Sequence, residues 1–93
     1  MWLLRLLAVI LVVAAGVYFH LPSGAWLWIV AAIGTVLTVE YMNTAIEKLT
    51  DMVAPEFDER AGNVKDIAAA AVLIATLMAI VIGVIIFLPY LST

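Results

Sequence analysis

The sequence predicts an all-α membrane protein whose chain crosses the bilayer three times. Three observations carry that prediction. Hydrophobic residues make up 68% of the 93-residue chain and charged residues only 12%, where a soluble domain is about a quarter charged. The mean hydropathy is +1.26, and a soluble chain this short leaves too much surface in water to hide so many apolar side chains. The charges are also segregated: eight of the eleven fall between Lys48 and Asp66, and only Arg5, Glu40 and Glu47 lie elsewhere. The absence of cysteine excludes a disulfide framework and a thiolate metal site. A net charge of −3 with four basic residues argues against nucleic acid as a partner.

The first apolar run, residues 2–19, is interrupted only by Arg5, which is expected to snorkel to the headgroups. His20-Leu21-Pro22-Ser23-Gly24 then reads as a tight turn. Met1 to Gly16 also has the outline of a signal peptide, with Ala14-Ala15-Gly16 near a cleavage position. Two further spans favour reading it as the first span. The second run opens at Ala25 and continues in helical patterning to Val53, where Pro55 stops it. The third is expected over residues 66–90, with Gly62-Asn63 as a break before it and Pro89-Tyr90 as its end. A loop over residues 54–65 joins the last two spans within one domain, 1–93. Ala68 to Ala71 reads as a small-residue face for close helix packing, and Trp2, Tyr18, Phe19, Trp26, Trp28 and Tyr90 as interface anchors.

Three of the four basic residues, Lys48, Arg60 and Lys65, lie in the charged 48–66 segment that joins the apolar parts of spans two and three, and Arg5 opens span one. The positive-inside rule therefore places the N-terminus and the 48–66 segment in the cytoplasm and the C-terminus outside.

The informative residues are polar groups in the second run. Glu40, Asn43, Glu47 and Asp51 are spaced by three, four and four positions, which puts them along one side of a helix. A carboxylate within lipid costs several kcal/mol unless paired, hydrated or metal-bound, and like charges at i,i+4 repel. Such a row implies something positive against it: a divalent cation, a basic side chain or a held proton. Plainer readings exist. Asp51 suits a solvated helix end, Asn43 an interhelical hydrogen bond, Asp66 the positive end of the third helix, and Lys65 a membrane flank. Yet carboxylates beside a lysine also suit a nucleotide with Mg²⁺, the metal bridging phosphate oxygens and the lysine neutralising the rest. No P-loop or GxGxxG motif is present. The one histidine, His20, falls on the side of the membrane opposite the carboxylates, so no Ser–His–Asp set forms.

The stretch Glu40-Tyr41-Met42-Asn43-Thr44-Ala45-Ile46-Glu47-Lys48-Leu49-Thr50-Asp51 resembles the signature E-x-x-N-[ST]-A-I-E-x-x-x-D of the small prokaryotic diacylglycerol kinase family, which includes undecaprenol kinases. Pro55-Glu56-Phe57, Lys65-Asp66 before an alanine-rich stretch, and Gly83 to Pro89 continue the likeness over nearly the whole chain. The resemblance implies a homotrimeric, multi-pass lipid kinase of the plasma membrane, with its active site at the cytoplasmic face. It would transfer the γ-phosphate of MgATP to the hydroxyl of a membrane lipid, diacylglycerol or undecaprenol. Carried over, Glu40 looks like the general base that meets the lipid hydroxyl. Asn43, Glu47, Asp51, Lys65 and Asp66 look like ATP contacts, with Glu47 also the metal carboxylate, and Glu56 matches a position near the nucleotide. A carboxylate in apolar surroundings suits that base, because a lipid alcohol is a poor nucleophile.

The family usually opens with a cytoplasmic surface helix carrying a second metal-binding glutamate. The sequence opens at Met1-Trp2-Leu3-Leu4, with Leu3 where the family has arginine, and is expected to lack that helix. This keeps open a non-catalytic or truncated kinase-like membrane subunit. A proton or cation conduit through Glu40 and Glu47 is disfavoured, because the other half of the spans carries no charge.

Overall fold

Three α-helices account for nearly all of residues 2–92, the residues that the computed structural model describes. They are α1 (Trp2–Tyr18), α2 (Ser23–Val53) and α3 (Glu59–Leu91). Helices α2 and α3 are long and apolar enough to cross a membrane, whereas α1 is a shorter apolar helix of 17 residues. At 1.5 Å per residue α1 spans ~25 Å, α2 ~46 Å and α3 ~50 Å, and the molecule is 54 Å long and about 20 Å across. With a hydrocarbon layer of ~30 Å, α2 and α3 are long enough to project beyond it, and α1 is not.

The α1–α2 connection is set by local chemistry. His20 adopts φ 56°, the left-handed conformation. Its N–H donates to the Val17 carbonyl at 3.2 Å, and the Leu21 N–H donates to the Gly16 carbonyl at 3.1 Å. This is the Schellman ending of a helix, with its apolar contact supplied by Leu21 over Gly16. Trp26 lies against the same glycine: a Cβ on Gly16 would come within 2.6 Å of the indole ring. Trp26 therefore packs against the end of α1. Phe19 likewise turns inward, its ring 6.2 Å from Phe87 and 5.3 Å from Tyr90, which ties the end of α1 to the end of α3.

Helix α2 stops where expected. Ala54, the residue before Pro55, leaves the helical region at φ −131° and ψ 76°. Helix α3, however, begins at Glu59 and not at residue 66. Asp58 caps it: Oδ1 accepts from the Arg60 backbone N–H at 2.9 Å, and Oδ2 pairs with the Arg60 guanidinium at 3.1 Å. The guanidinium and the backbone N–H hold the Asp58 carboxyl below its usual value of 3.8. A capped start outweighs the ~1 kcal/mol preference against Gly62, so Gly62-Asn63 lies inside the helix and the loop shrinks to five residues, 54–58. Asp66 consequently sits two turns in and is no helix-start residue. At the other end Pro89 is within the helix, which continues to Leu91.

Helices α2 and α3 pack against each other along their length. The less exposed positions of α3 recur at 61, 65, 68, 72, 75, 79, 82 and 86, alternating four and three apart. Of the Ala68 to Ala71 run only Ala68 is buried, and its close-packed companion is Ala75, two turns on. Buried apolar residues number just five among the described residues, Leu21, Ile29, Ala32, Ala68 and Ala75, and large apolar side chains such as Leu27, Trp28, Ile74 and Ile85 face outward. Lipid tolerates that surface, because burying it against another helix gains little over burying it against acyl chains. The hydroxyls of Thr35, Thr44 and Thr50 donate to carbonyls four residues back, at 2.7, 3.1 and 2.7 Å, which satisfies them without water.

Candidate active site

The polar row on α2 divides into three units, each with a different partner. Glu40 is the innermost. It lies 17 residues, or ~25 Å, from the start of α2, level with the beginning of α1. Arg5 meets it there: Nε is 2.7 Å from Glu40 Oε2. The Glu40 side chain is only 16% exposed and that of Arg5 is 49% exposed. The contact is close but misaligned, because Glu40 Oε2 is buried and accepts no hydrogen bond. Arg5 thus supplies the basic side chain that the deep carboxylate requires. Sequence reasoning sent Arg5 to the headgroups and missed the pairing. The available signal was depth: counting residues outward from the turn puts Arg5 and Glu40 at nearly the same level.

One turn further along α2, Asn43 Nδ2 donates to Glu47 Oε1 at 3.0 Å. That hydrogen bond stays within α2, and Asn43 Oδ1 is left buried with no donor. Farther out still, Lys65 Nζ pairs with Asp51 Oδ1 at 2.5 Å and so joins α3 to α2. Lys65 reaches Asp51 because it sits on the inward stripe of α3. Asp66, one residue on, is exposed and takes part in none of the ion pairs among the described residues. Glu56 is exposed in the loop. The structure therefore brings together Glu40 with Arg5, Asn43 with Glu47, and Asp51 with Lys65, and it leaves Asp66 and Glu56 outside these contacts.

Two clefts meet at the Arg5–Glu40 pair. One, of about 460 Å³, lies among all three helices and is walled almost entirely by apolar groups, including Val9, Val12, Ile33, Ile80 and Phe87. The other, of about 370 Å³, lies between α1 and α2 and includes Trp2, Tyr41 and Thr44. Arg5 and Glu40 line both. The site thus has an apolar side fit for hydrocarbon and, along α2 toward Asp51, a polar side fit for a charged ligand.

The residues match the family model for prokaryotic diacylglycerol kinase over positions 2–87. The chain belongs to that family. It is 32% identical over 74 residues to the diacylglycerol kinase of Escherichia coli K12, which covers 80% of this chain and 61% of that relative. It is 35% identical over 78 residues to the undecaprenol kinase of Bacillus subtilis 168, which covers 84% of this chain and 63% of that relative. The chain thus spans about three fifths of the length of these curated relatives. As a family member it is a helical membrane protein, and both relatives are named as lipid kinases.

Kinase chemistry commonly needs a divalent cation, and two oxygen atoms suit one. The orphaned Asn43 Oδ1 and the Glu47 carboxylate are hard donors on adjacent turns. A Mg²⁺ ion usually keeps several waters and takes one or two carboxylates plus phosphate oxygens. No group of three or more acidic or histidine side chains converges among the described residues, so any metal here would take most of its ligands from phosphate and water.

Proposed function

We propose that the protein is a lipid kinase that transfers the γ-phosphate of MgATP to the hydroxyl of a membrane lipid of the diacylglycerol or undecaprenol class. The observation that carries this reading is the placement of Glu40. It lines an apolar cleft from below, while Glu47, Asp51 and Lys65 follow on the stretch of α2 and α3 that is long enough to leave the bilayer. A lipid tail would occupy the 460 Å³ cleft and present its hydroxyl to Glu40, which would accept the proton as general base. Asp51 is about three turns away, ~16 Å along the helix, and Lys65, freed from it, would meet the nucleotide phosphates. Asn43 and Glu47 would hold Mg²⁺, whose charge would offset that developing on the phosphoryl oxygens. Asp66, exposed on α3, would approach the nucleotide from outside the Asp51–Lys65 pair.

In this reading the cytoplasm lies at the Asp51–Lys65 end, the membrane is the plasma membrane, and three copies form the working unit. The trimer draws support from the small number of acidic groups that one chain gathers among the described residues. That same shortage supports a second reading, a kinase-like subunit that binds but does not transfer. Transfer of labelled phosphate from ATP to dioleoylglycerol and to undecaprenol, in mixed micelles with and without Mg²⁺, separates the two. Mg²⁺-dependent labelling of one lipid is the expected result. A correctly assembled but silent protein with both lipids would refute the kinase reading.

A further inference from the structure

We propose that Arg5 is the ligand for the phosphate of the lipid product, released to that role when Glu40 takes up the alcohol proton. The inference rests on the lipid-kinase reading and adds a residue and an order of events to it. A guanidinium carries five N–H donors, and one carboxylate accepts at most a pair of them in a fork. Arg5 meets Glu40 through Nε, and Glu40 is its one acidic partner among the described residues. Donors therefore remain on Arg5, and the side chain is about half exposed at the meeting point of the two clefts. The contact it does make is poorly aligned, since Glu40 Oε2 accepts no hydrogen bond despite the 2.7 Å approach. An arginine held by charge alone is free to turn toward a better acceptor.

The transfer step supplies that acceptor. The lipid oxygen gives its proton to Glu40 and forms a bond to the γ-phosphorus. The bond from that phosphorus to the β–γ bridging oxygen breaks, and its electron pair leaves on ADP. Glu40 changes from −1 to neutral as a phosphomonoester of about −2 charge appears on the lipid oxygen it has just served. Arg5 then faces a neutral acid on one side and a dianion on the other, and phosphate is the acceptor that the guanidinium fork fits. The positive charge stays in place throughout, so a carboxylate and then a phosphate are each neutralised at the edge of the hydrocarbon. In this account Arg5 first holds the base and later holds the product.

The test is equilibrium binding, without nucleotide, to the full chain in nanodiscs. The probes are dioleoyl phosphatidate and undecaprenyl phosphate, with dioleoylglycerol as the uncharged control. Glu40→Gln mimics the protonated base, and it should bind the lipid phosphates about tenfold more tightly than the wild type, the scale of one charge-assisted hydrogen bond. Binding of dioleoylglycerol should not change. Arg5→Gln added to Glu40→Gln should erase the gain, and Arg5→Lys should retain part of it. No gain in Glu40→Gln, or a gain that survives Arg5→Gln, would overturn the proposal. Equal weakening of charged and uncharged lipids by Arg5→Gln would also overturn it, because that is what a merely structural partner of Glu40 would give. An Arg5-dependent gain in a protein that transfers no phosphate would keep this site and refute only the kinase reading.

Discussion

At the end of the bundle where the chain turns, Leu21 and Trp26 lie over Gly16 and leave no room for a Cβ, and the Phe19 ring lies near those of Phe87 and Tyr90. At the opposite end α1 has stopped, and its contact with the rest of the chain passes through a misaligned ion pair between Arg5 and Glu40. There α2 and α3 continue with Asp51 and Lys65 joined across them. The first end is apolar, with its turn hydrogen bonds made. The second carries two buried oxygens that accept no hydrogen bond, Asn43 Oδ1 and Glu40 Oε2, the latter held only by the charge of Arg5. Burying an unsatisfied polar atom costs ~1–3 kcal/mol. The apolar end sets the register of the helices, and that register lets the polar end hold groups awaiting a ligand.

Substitutions at the two ends should therefore fail differently. The largest effect expected after loss of the base is at Lys65. Lys65→Met should raise the KM for MgATP about 10- to 100-fold, the scale of a charge-assisted hydrogen bond to phosphate. The KM for lipid and the thermal stability in micelles should change little, as steady-state kinetics and a melting curve would show. At the apolar end Gly16→Leu should do the reverse. Its side chain collides with Trp26, and overpacking of this kind costs ~1–3 kcal/mol. The melting temperature should fall with little change in either KM, and Trp26→Ala in the same chain should recover part of the loss. His20→Gly tests the turn alone: removing a side chain from a left-handed residue should stabilise the protein by up to about 1 kcal/mol.

The smallest effect lies outside the membrane, at Asp58. Its carboxyl is held below 3.8, so the cap contributes fully above that value and is lost as pH falls through the lower folded-state pKa. Amide exchange in the first turn of α3 should speed up in that acid window, and Asp58→Asn should reduce the dependence on pH. An acid-induced opening at the His20 turn instead of at α3 would contradict this comparison.

The three helices were legible because apolar periodicity and length survive any packing arrangement. The start of α3 was not, because Gly62-Asn63 carries a stronger local break signal than the Asp58 cap, whose effect depends on the Arg60 side chain closing over it. Trp26 and Phe19 read as interface anchors, since nothing local reveals that a glycine or a second aromatic ring will lie opposite. The carboxylate row itself was legible from spacing. Its division among Arg5, Asn43 and Lys65 was not, because two of those partners come from other helices at depths set by the turns.

The central claim is that Glu40 stands between a lipid-binding half and a nucleotide-binding half and acts as the base between them. The most direct measurement is phosphate transfer and ATP binding on the same Glu40→Gln sample. A general base contributes ~10²–10⁴-fold to rate, so transfer should fall by at least about a hundredfold while ATP affinity stays within about twofold. Transfer that persists in Glu40→Gln, or ATP affinity that is lost along with it, would contradict the account.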